Sequence, residues 1–456
     1  MQTFHIETLG CQMNVLDSEL AASSLLRLGL TPAKSLLAAD VVLFNTCSVR
    51  QHAEDKVYSA LGRLANWKER NPQAVLGVLG CMAQKDQRLV FRRAPHVDFV
   101  LGPGQLDRLS DVVQTVFDAK IAGRTPQKEI LVSLHRLERK HAEVAESFRR
   151  YDPMRLSETR PRRFQAFVRI MFGCDKFCTY CIVPSVRGPE QSRSPQEILD
   201  EVKSLADQGV LEITLIGQTV NSYRFKEGDK TIRLADLLAR MSEIDAIRRI
   251  RFVTNYPHGM DNALLQAVRD LPKVGKHLHV PAQSGSDAVL KRMKRNYTAS
   301  DYRALVDRIY DTMPWASMTS DFIVGFCGET DEEFADTVDL VKYGRFKNSF
   351  IFKYSERPGT KAAELFADDV PEVVKKRRNN ELLAIQDSIS LELNRQWIGR
   401  KVEILVEGPD ELGHRLTGRS PCDRVVVFDG TPSLVGTFIE LKITDAAPFT
   451  LIGVRD

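Results

Sequence analysis

Three thiols fall within eight residues at Cys174-Asp175-Lys176-Phe177-Cys178-Thr179-Tyr180-Cys181. Core packing asks for no such spacing, but metal coordination does. A closed structural zinc site needs four protein ligands, and no fourth cysteine or histidine lies in the same loop. A [4Fe–4S] cube suits three thiolates better, because one of its four irons is left open to bind something else. A second trio is dispersed: Leu9-Gly10-Cys11, Asn45-Thr46-Cys47 and Leu79-Gly80-Cys81. Eight cysteines are few for a disulfide framework in 456 residues, so the clustered ones point to metal chemistry.

The elements that must position these thiols follow from periodicity. Phe4 to Leu9, Asp40 to Asn45 and Ala74 to Leu79 read as strands, with helices over Ser18 to Leu28 and Ala53 to Arg70. This alternation predicts an α/β fold that begins with a small, open parallel sheet. Each dispersed cysteine stands just past the carboxyl end of a strand, the edge where open α/β sheets place ligands, so the three can converge. From Phe164 to about Gly359 six more strands alternate with helices: Ala166 to Phe172, Glu212 to Ile216, Ile250 to Thr254, His277 to Pro281, Thr319 to Gly325 and Ser349 to Tyr354. They predict a (β/α) barrel, whole or partial, with Cys174–Cys181 following its first strand. Ser194 with Glu197, and Thr330 with Glu333, read as capping boxes, and Gly209 as a helix stop.

After a helical stretch from Pro371 to Trp397, short strands at Lys401 to Val406, Val425 to Phe428, Phe438 to Ile443 and Phe449 to Val454 predict a small all-β barrel. It carries Arg395, Arg400, Lys401, Arg415, Arg419, Arg424, Lys442 and Arg455, which an RNA-binding surface or an ordinary solvated one would both display. The expected divisions are 1–118, a charged connector over 119–160, a core over 161–392 and the β domain over 393–456. Within the connector, His135 to Arg163 holds nine Lys/Arg against five Asp/Glu, which suits an exposed helix or linker, or a tRNA-facing patch.

The spacing C-x3-C-x2-C at Cys174, Cys178 and Cys181 resembles the signature of the radical S-adenosylmethionine superfamily. The resemblance implies that these cysteines hold a catalytic [4Fe–4S] cluster whose open iron chelates S-adenosylmethionine. One electron then yields methionine and a 5′-deoxyadenosyl radical, and the protein supplies orientation and exclusion of water. The segments Gly10-Cys11-Gln12-Met13-Asn14, Asn45-Thr46-Cys47-Ser48-Val49-Arg50 and Gly80-Cys81-Met82-Ala83-Gln84 resemble the amino-terminal domain of methylthiotransferases. That implies a second, auxiliary [4Fe–4S] cluster on Cys11, Cys47 and Cys81, where a sulfur is methylated before transfer, with two S-adenosylmethionine molecules used per turnover.

The run Cys181-Ile182-Val183-Pro184 through Arg187-Gly188-Pro189-Glu190-Gln191-Ser192-Arg193 narrows the likeness to the tRNA-2-methylthio-N6-dimethylallyladenosine synthases, and the last barrel resembles their TRAM domain. The implied substrate is isopentenylated adenosine beside a tRNA anticodon, modified at its second carbon. A loop base is already unpaired and leaves its stack at modest cost. An electron donor and a sulfur or cluster-assembly donor are implied as partners, with the chain acting as a monomer. Other family-like segments bring Gln218 and Asn221, Gln283 and Ser284, and Asp321 to strand ends, where they can meet cofactor or base, or serve turns and caps. Arg187, Glu190 and Arg193 can bind cofactor or phosphate, or form structural ion pairs.

Cys327 stands where the family commonly has proline, and it reads, like Cys422, as a packed thiol. Sister readings are methylthiolation of threonylcarbamoyladenosine in tRNA or of an aspartate in a small-subunit ribosomal protein. A reading of another class is a non-catalytic iron–sulfur or zinc protein that binds RNA. The net charge of +4 excludes an indiscriminate polycation. No basic leader and no run of about 18 apolar residues is present, so a cytoplasmic, non-membrane protein is expected.

Overall fold

The computed structural model describes residues 3–48, 51–132 and 155–455. Its amino-terminal third is a wholly parallel sheet of β1 (Thr3–Leu9), β2 (Thr31–Pro32), β3 (Val41–Thr46), β4 (Val75–Gly80), β5 (Phe99–Leu101) and β6 (Glu129–Leu131). They lie in the order β2-β1-β3-β4-β5-β6. β3 and β4 are buried at every residue, as their unbroken apolar runs require of parallel strands covered on both faces. Helices Gln12–Arg27 and Leu109–Ile121 pack on one face through Leu16, Leu20, Val112 and Val116. Helix Gln51–Arg63 packs on the other through Val57 and Leu61.

The sheet reaches further along the chain than expected. β6 lies inside the stretch read as a connector and pairs with β5 at Phe99–Glu129. Arg155 and Arg160, read as part of an exposed linker, are buried instead, because Glu201 and Glu19 accept them. The remainder of that stretch, 133–154, lies outside the described residues, as do Val49 and Arg50.

The central region holds six parallel strands in chain order: β7 (Gln165–Arg169), β8 (Glu212–Ile216), β9 (Arg249–Phe252), β10 (His277–His279), β11 (Ser317–Val324) and β12 (Asn348–Lys353). Two three-stranded sheets are joined by the parallel bridge Ile250–Val274 and by the Asn255 N–H on the His279 carbonyl at 3.2 Å. Among the described residues no ladder closes β7 onto β12, so the barrel is partial. Its outward faces, such as Ile213, Leu215, Ile250 and Phe322, are buried under the surrounding helices. Thr330 and Glu333 form the expected capping box. Ser194 makes no side-chain cap bond, so the other expected box is absent; Pro195 at the first helical position already lacks the N–H that would need a partner.

The carboxyl-terminal domain is a closed barrel of β13 (Lys401–Pro409), β14 (Leu416–Arg419), β15 (Val425–Phe428), β16 (Phe438–Ala446) and β17 (Thr450–Val454). Its turn at Ser420–Arg424 seats against the amino-terminal mouth of the partial barrel. Asp423 Oδ1 lies 2.5 Å from Arg251 Nη1 and its Oδ2 lies 2.9 Å from Lys347 Nζ. The Lys276 N–H donates to the Pro421 carbonyl at 2.9 Å. Arg419 pairs with Glu407 and Asp423 while staying partly exposed, and the buried Arg424 donates to Asn394. Arg395, Arg400, Lys401, Lys442 and Arg455 remain exposed.

Candidate functional site

Strand register gathers the dispersed thiols. Leu9 of β1 sits beside Thr46 of β3, and Thr46 beside Gly80 of β4, so Cys11, Cys47 and Cys81 leave three adjacent strands at one level. The Cys47 N–H donates to the Leu9 carbonyl at 3.0 Å. Gly80 turns the chain at φ +90°, where a Cβ would stand 2.5 Å from Asn45 Oδ1 and 2.7 Å from the Thr46 carbonyl. Asn14 and Asn45 brace this edge through an Nδ2–Oδ1 bond of 3.0 Å. A hydrogen bond from Cys47 draws the Cys11 thiol down to about 6, with help from the charge of Arg187. Burial pushes Cys81 up, opposed by Arg187, whose Nε donates to Cys81 Sγ at 3.2 Å. Burial alone would lower the Arg187 guanidinium; Cys81, Asp17 and Cys11 outweigh it and keep the cation charged.

The second trio occupies the loop after β7. Gly173, at φ +76°, lets the chain pass the Pro189 carbonyl, which a Cβ would approach within 1.9 Å. The Cys174 N–H donates to the Gly188 carbonyl at 3.0 Å and the Cys181 N–H to the Cys178 carbonyl at 3.0 Å. Burial raises Cys174, and burial with Cys178 alongside pushes Cys181 up to about 12. Arg295 Nη1 donates to Cys178 Sγ at 3.3 Å. Clustered thiols, with Arg295 donating to the buried Cys178, fit iron, which deprotonates a coordinating thiol outright. Among the described residues no three His, Cys, Asp or Glu side chains gather tightly enough for a single metal ion, whereas a cube spreads its thiolates over different irons.

The two trios adjoin. The short helix Val183–Arg187 follows Cys181 directly, and Ile182 and Val186 pack on Cys81. Asp17, buried in the first domain, pairs with Arg187 Nη2 and with Arg169 Nη1 of the barrel, each at 3.1 Å. Arg357 donates to the Ser48 carbonyl, and both Cys47 and Cys181 act on its charge.

The other candidates divide. Gln218 Oε1 is buried with no hydrogen-bond partner among the described residues, as an acceptor aimed at a ligand would be. Gln283 holds a left-handed φ of +74° while its main chain bonds Asp321 and Ile323, and Asp321 Oδ2 lies 3.6 Å from His279 Nε2. Glu190 meets Lys176 of the cysteine loop at 3.1 Å. Four further candidates also make contacts within the protein. Asn221 is engaged at both side-chain ends by Tyr256 main-chain groups, at 2.7 and 2.8 Å. Ser284 is buried against Thr337. Arg193 pairs with Glu201 at 2.6 Å, and Arg187 serves Cys81 and Asp17. Cys327 packs among Phe326, Tyr354 and Ala362, and Cys422 is buried with its Sγ 3.7 Å from the Trp315 carbonyl oxygen.

Asp17, Arg295 and Arg357 were not singled out by spacing. Each lies on an element remote in sequence from the thiol it serves. The one available signal was charge at positions that periodicity assigns to a buried face, as for Asp17 between Leu16 and Leu20.

Comparison with known proteins agrees with this layout. Residues 168–341 match the radical SAM superfamily, 3–102 match "Uncharacterized protein family UPF0004" and 395–454 match the TRAM domain. In solved structures, the radical S-adenosylmethionine methyltransferase TsrM from Kitasatospora setae, with its tryptophan substrate and a SAM analogue bound, superposes with a TM-score of 0.53 at 13% identity. It covers 90% of this chain and 79% of that one, which establishes shared fold alone. A curated tRNA-2-methylthio-N(6)-dimethylallyladenosine synthase from Rhodopirellula baltica is 54% identical over 99% of this chain and 95% of its own. A protein of the same name from Syntrophotalea carbinolica is 42% identical over the whole of both. With similarity of this depth running through all three domains, the chain belongs to the tRNA-2-methylthio-N(6)-dimethylallyladenosine synthase family, radical SAM enzymes with [4Fe–4S] clusters.

Proposed function

We propose that this chain places a methylthio group on the second carbon of N6-isopentenyladenosine beside the anticodon of tRNA. Cys174, Cys178 and Cys181 hold the catalytic [4Fe–4S] cluster, and Cys11, Cys47 and Cys81 the auxiliary one. When bound, the clusters and S-adenosylmethionine supply the electron, radical and methylthio chemistry. The chain's own residues set the geometry. Gln218 offers an acceptor to S-adenosylmethionine or base, and Asp321 with His279 lines the inner wall of the barrel. Arg187 and Asp17 hold the two sites together.

The observation that carries the reading is the shared level of Leu9, Thr46 and Gly80 beside the Cys174–Cys181 loop, joined through Ile182, Val186 and Arg187. Exposed Arg395, Arg400, Lys401, Lys442 and Arg455 supply phosphate contacts for the anticodon stem-loop, with the salt dependence that counterion release imposes. A low-potential electron donor and a sulfur or cluster-assembly donor complete the reaction, and the chain acts as a monomer in the cytoplasm. No helix among the described residues is long and apolar enough to cross a membrane.

Mass spectrometry of tRNA nucleosides tests the proposal. A strain lacking its own synthase should regain 2-methylthio-N6-isopentenyladenosine when it expresses this chain. Appearance of the threonylcarbamoyl analogue, or of a methylthiolated ribosomal aspartate, would move the chain to a sister activity. Binding of tRNA without any 5′-deoxyadenosine under reduction would make it a non-catalytic binder.

A further inference from the structure

Arg295 lies just past the helix Asp287–Arg292 and reaches back to the cysteine loop. Besides the 3.3 Å contact of Nη1 with Cys178 Sγ, its Nε donates to Tyr297 Oη at 2.7 Å and its Nη2 to the Pro281 carbonyl at 3.0 Å. The guanidinium carbon lies 4.5 Å from the ring centre of Tyr256 and 5.0 Å from that of Tyr297. Those rings meet edge to face at 5.8 Å, and Tyr297 Oη donates in turn to the Ala282 carbonyl at 2.7 Å. Hydrogen bonds on three sides and rings on two leave the fork one orientation, with Nη1 on the sulfur.

The charge of this fork is unusual in its company. Among the described residues no carboxylate forms an ion pair with Arg295; the groups acting on it are Tyr297, Tyr180, Cys178 and Tyr256. Arg187, which bonds Cys81 in the other trio, is by contrast paired to Asp17. A cation that needs only to brace a loop would be cheaper to place beside an acid.

We infer that Arg295 is a positioning residue that raises the reduction potential of the cluster held by Cys174, Cys178 and Cys181. The inference rests on the cluster assignment proposed above. Reduction brings one electron from a low-potential one-electron donor onto the cluster, with no bond formed and no proton moved. The reduced cluster is the more negative state, so a fixed cation donating to a ligand sulfur favours it over the oxidised one. The tyrosine rings flank that half-buried charge and reduce its screening by water, which strengthens the effect.

An EPR-monitored redox titration of the full, anaerobically reconstituted chain tests this. The relevant signal is the one that changes when S-adenosylmethionine is added. At the potential that half-reduces the native cluster, Arg295→Gln should lower the reduced-to-oxidised ratio by about tenfold, the scale of one charged hydrogen bond. Arg295→Lys, which keeps the charge, should recover most of that loss. Tyr297→Phe, which frees Nε but leaves the cation, should shift the midpoint in the same direction by less. A midpoint unchanged in both Arg295→Gln and Tyr297→Phe overturns the inference. If Arg295→Gln fails to bind iron, the Tyr297→Phe midpoint decides alone. A native chain with no signal sensitive to S-adenosylmethionine would overturn the cluster assignment itself, a failure distinct from an unshifted midpoint.

Discussion

One cysteine trio is held by a single loop and the other by a whole sheet. The loop of Cys174, Cys178 and Cys181 carries its three thiols within eight residues, so the sequence displays the site directly, although Thr179 at its centre is also tied to Met293 and Ala362. At Cys11, Cys47 and Cys81, the spacing exists only through the pairing of β1, β3 and β4. A contiguous site depends first on its own turn. A distributed site can be broken from any of its strands.

The largest expected effect separates the trios by chemistry. Cys178→Ala should abolish 5′-deoxyadenosine formation, whereas Cys47→Ala should retain uncoupled formation and lose methylthiolation. Methylthiolated nucleoside from Cys47→Ala would show that the two sites are not distinct in role. Next come the glycines that precede each site. Gly173→Ala should cost the loop cluster and Gly80→Ala the sheet cluster, each with about 1–3 kcal/mol of strain at a backbone angle that only glycine adopts freely. Iron and sulfide analysis would read the loss of one cluster in either variant, and retention of both in Gly80→Ala would break the comparison.

The junction between the sites is sharpened by Asp17→Asn, which leaves Arg169 and Arg187 buried with their carboxylate gone. Breaking such a pair should cost about 3–5 kcal/mol in denaturant unfolding. A loss below 1 kcal/mol would mean that the Asp17 pairs contribute little to holding the domains together.

The smallest expected effect lies at the far end of the barrel. Burial would raise the Asp423 carboxyl, but Lys347, His277, Arg251 and Arg419 outweigh it and hold it well below the usual range. A depressed carboxyl contributes stability that is present above its unfolded value, about 4, and is lost as pH falls through the folded one. Asp423→Asn should therefore destabilise the native chain by about 2 kcal/mol near pH 7, on the scale of a hydrogen bond between charged groups, and flatten its acid limb below about pH 4. Parallel acid limbs in variant and native chain would refute this.

The long strands and both thiol trios were legible in the sequence because apolar runs and cysteine context are local signals. β2, β5 and β6 escaped because two or three residues carry no period, and β6 also hid in a charged stretch. β14, Leu416–Arg419, was missed because Thr417, Gly418 and Arg419 give its four residues no apolar run. Among polar candidates, Gln218 stands just past the end of β8 as expected, whereas Asp321 lies inside β11, and the sequence could not say that Asn221 spends its amide on Tyr256. Nor could it show that Arg193 spends its charge on Glu201. Such commitments depend on contacts between remote segments. Arg295 and Arg357 are the reverse case, ordinary in sequence and drawn to the sulfurs only by the folded chain.

The alignment of Leu9, Thr46 and Gly80 also governs the order of assembly. A nascent chain that has made the Cys174–Cys181 turn already carries on a short tether the three thiols proposed to hold one cube. The other ligand set does not exist until three strands from distant parts of the first domain have annealed without slippage, and a slip by one residue would turn alternate side chains to the opposite face. Iron delivered before that step meets solitary thiols, so loading at the sheet edge must follow folding, whereas loading at the turn need not.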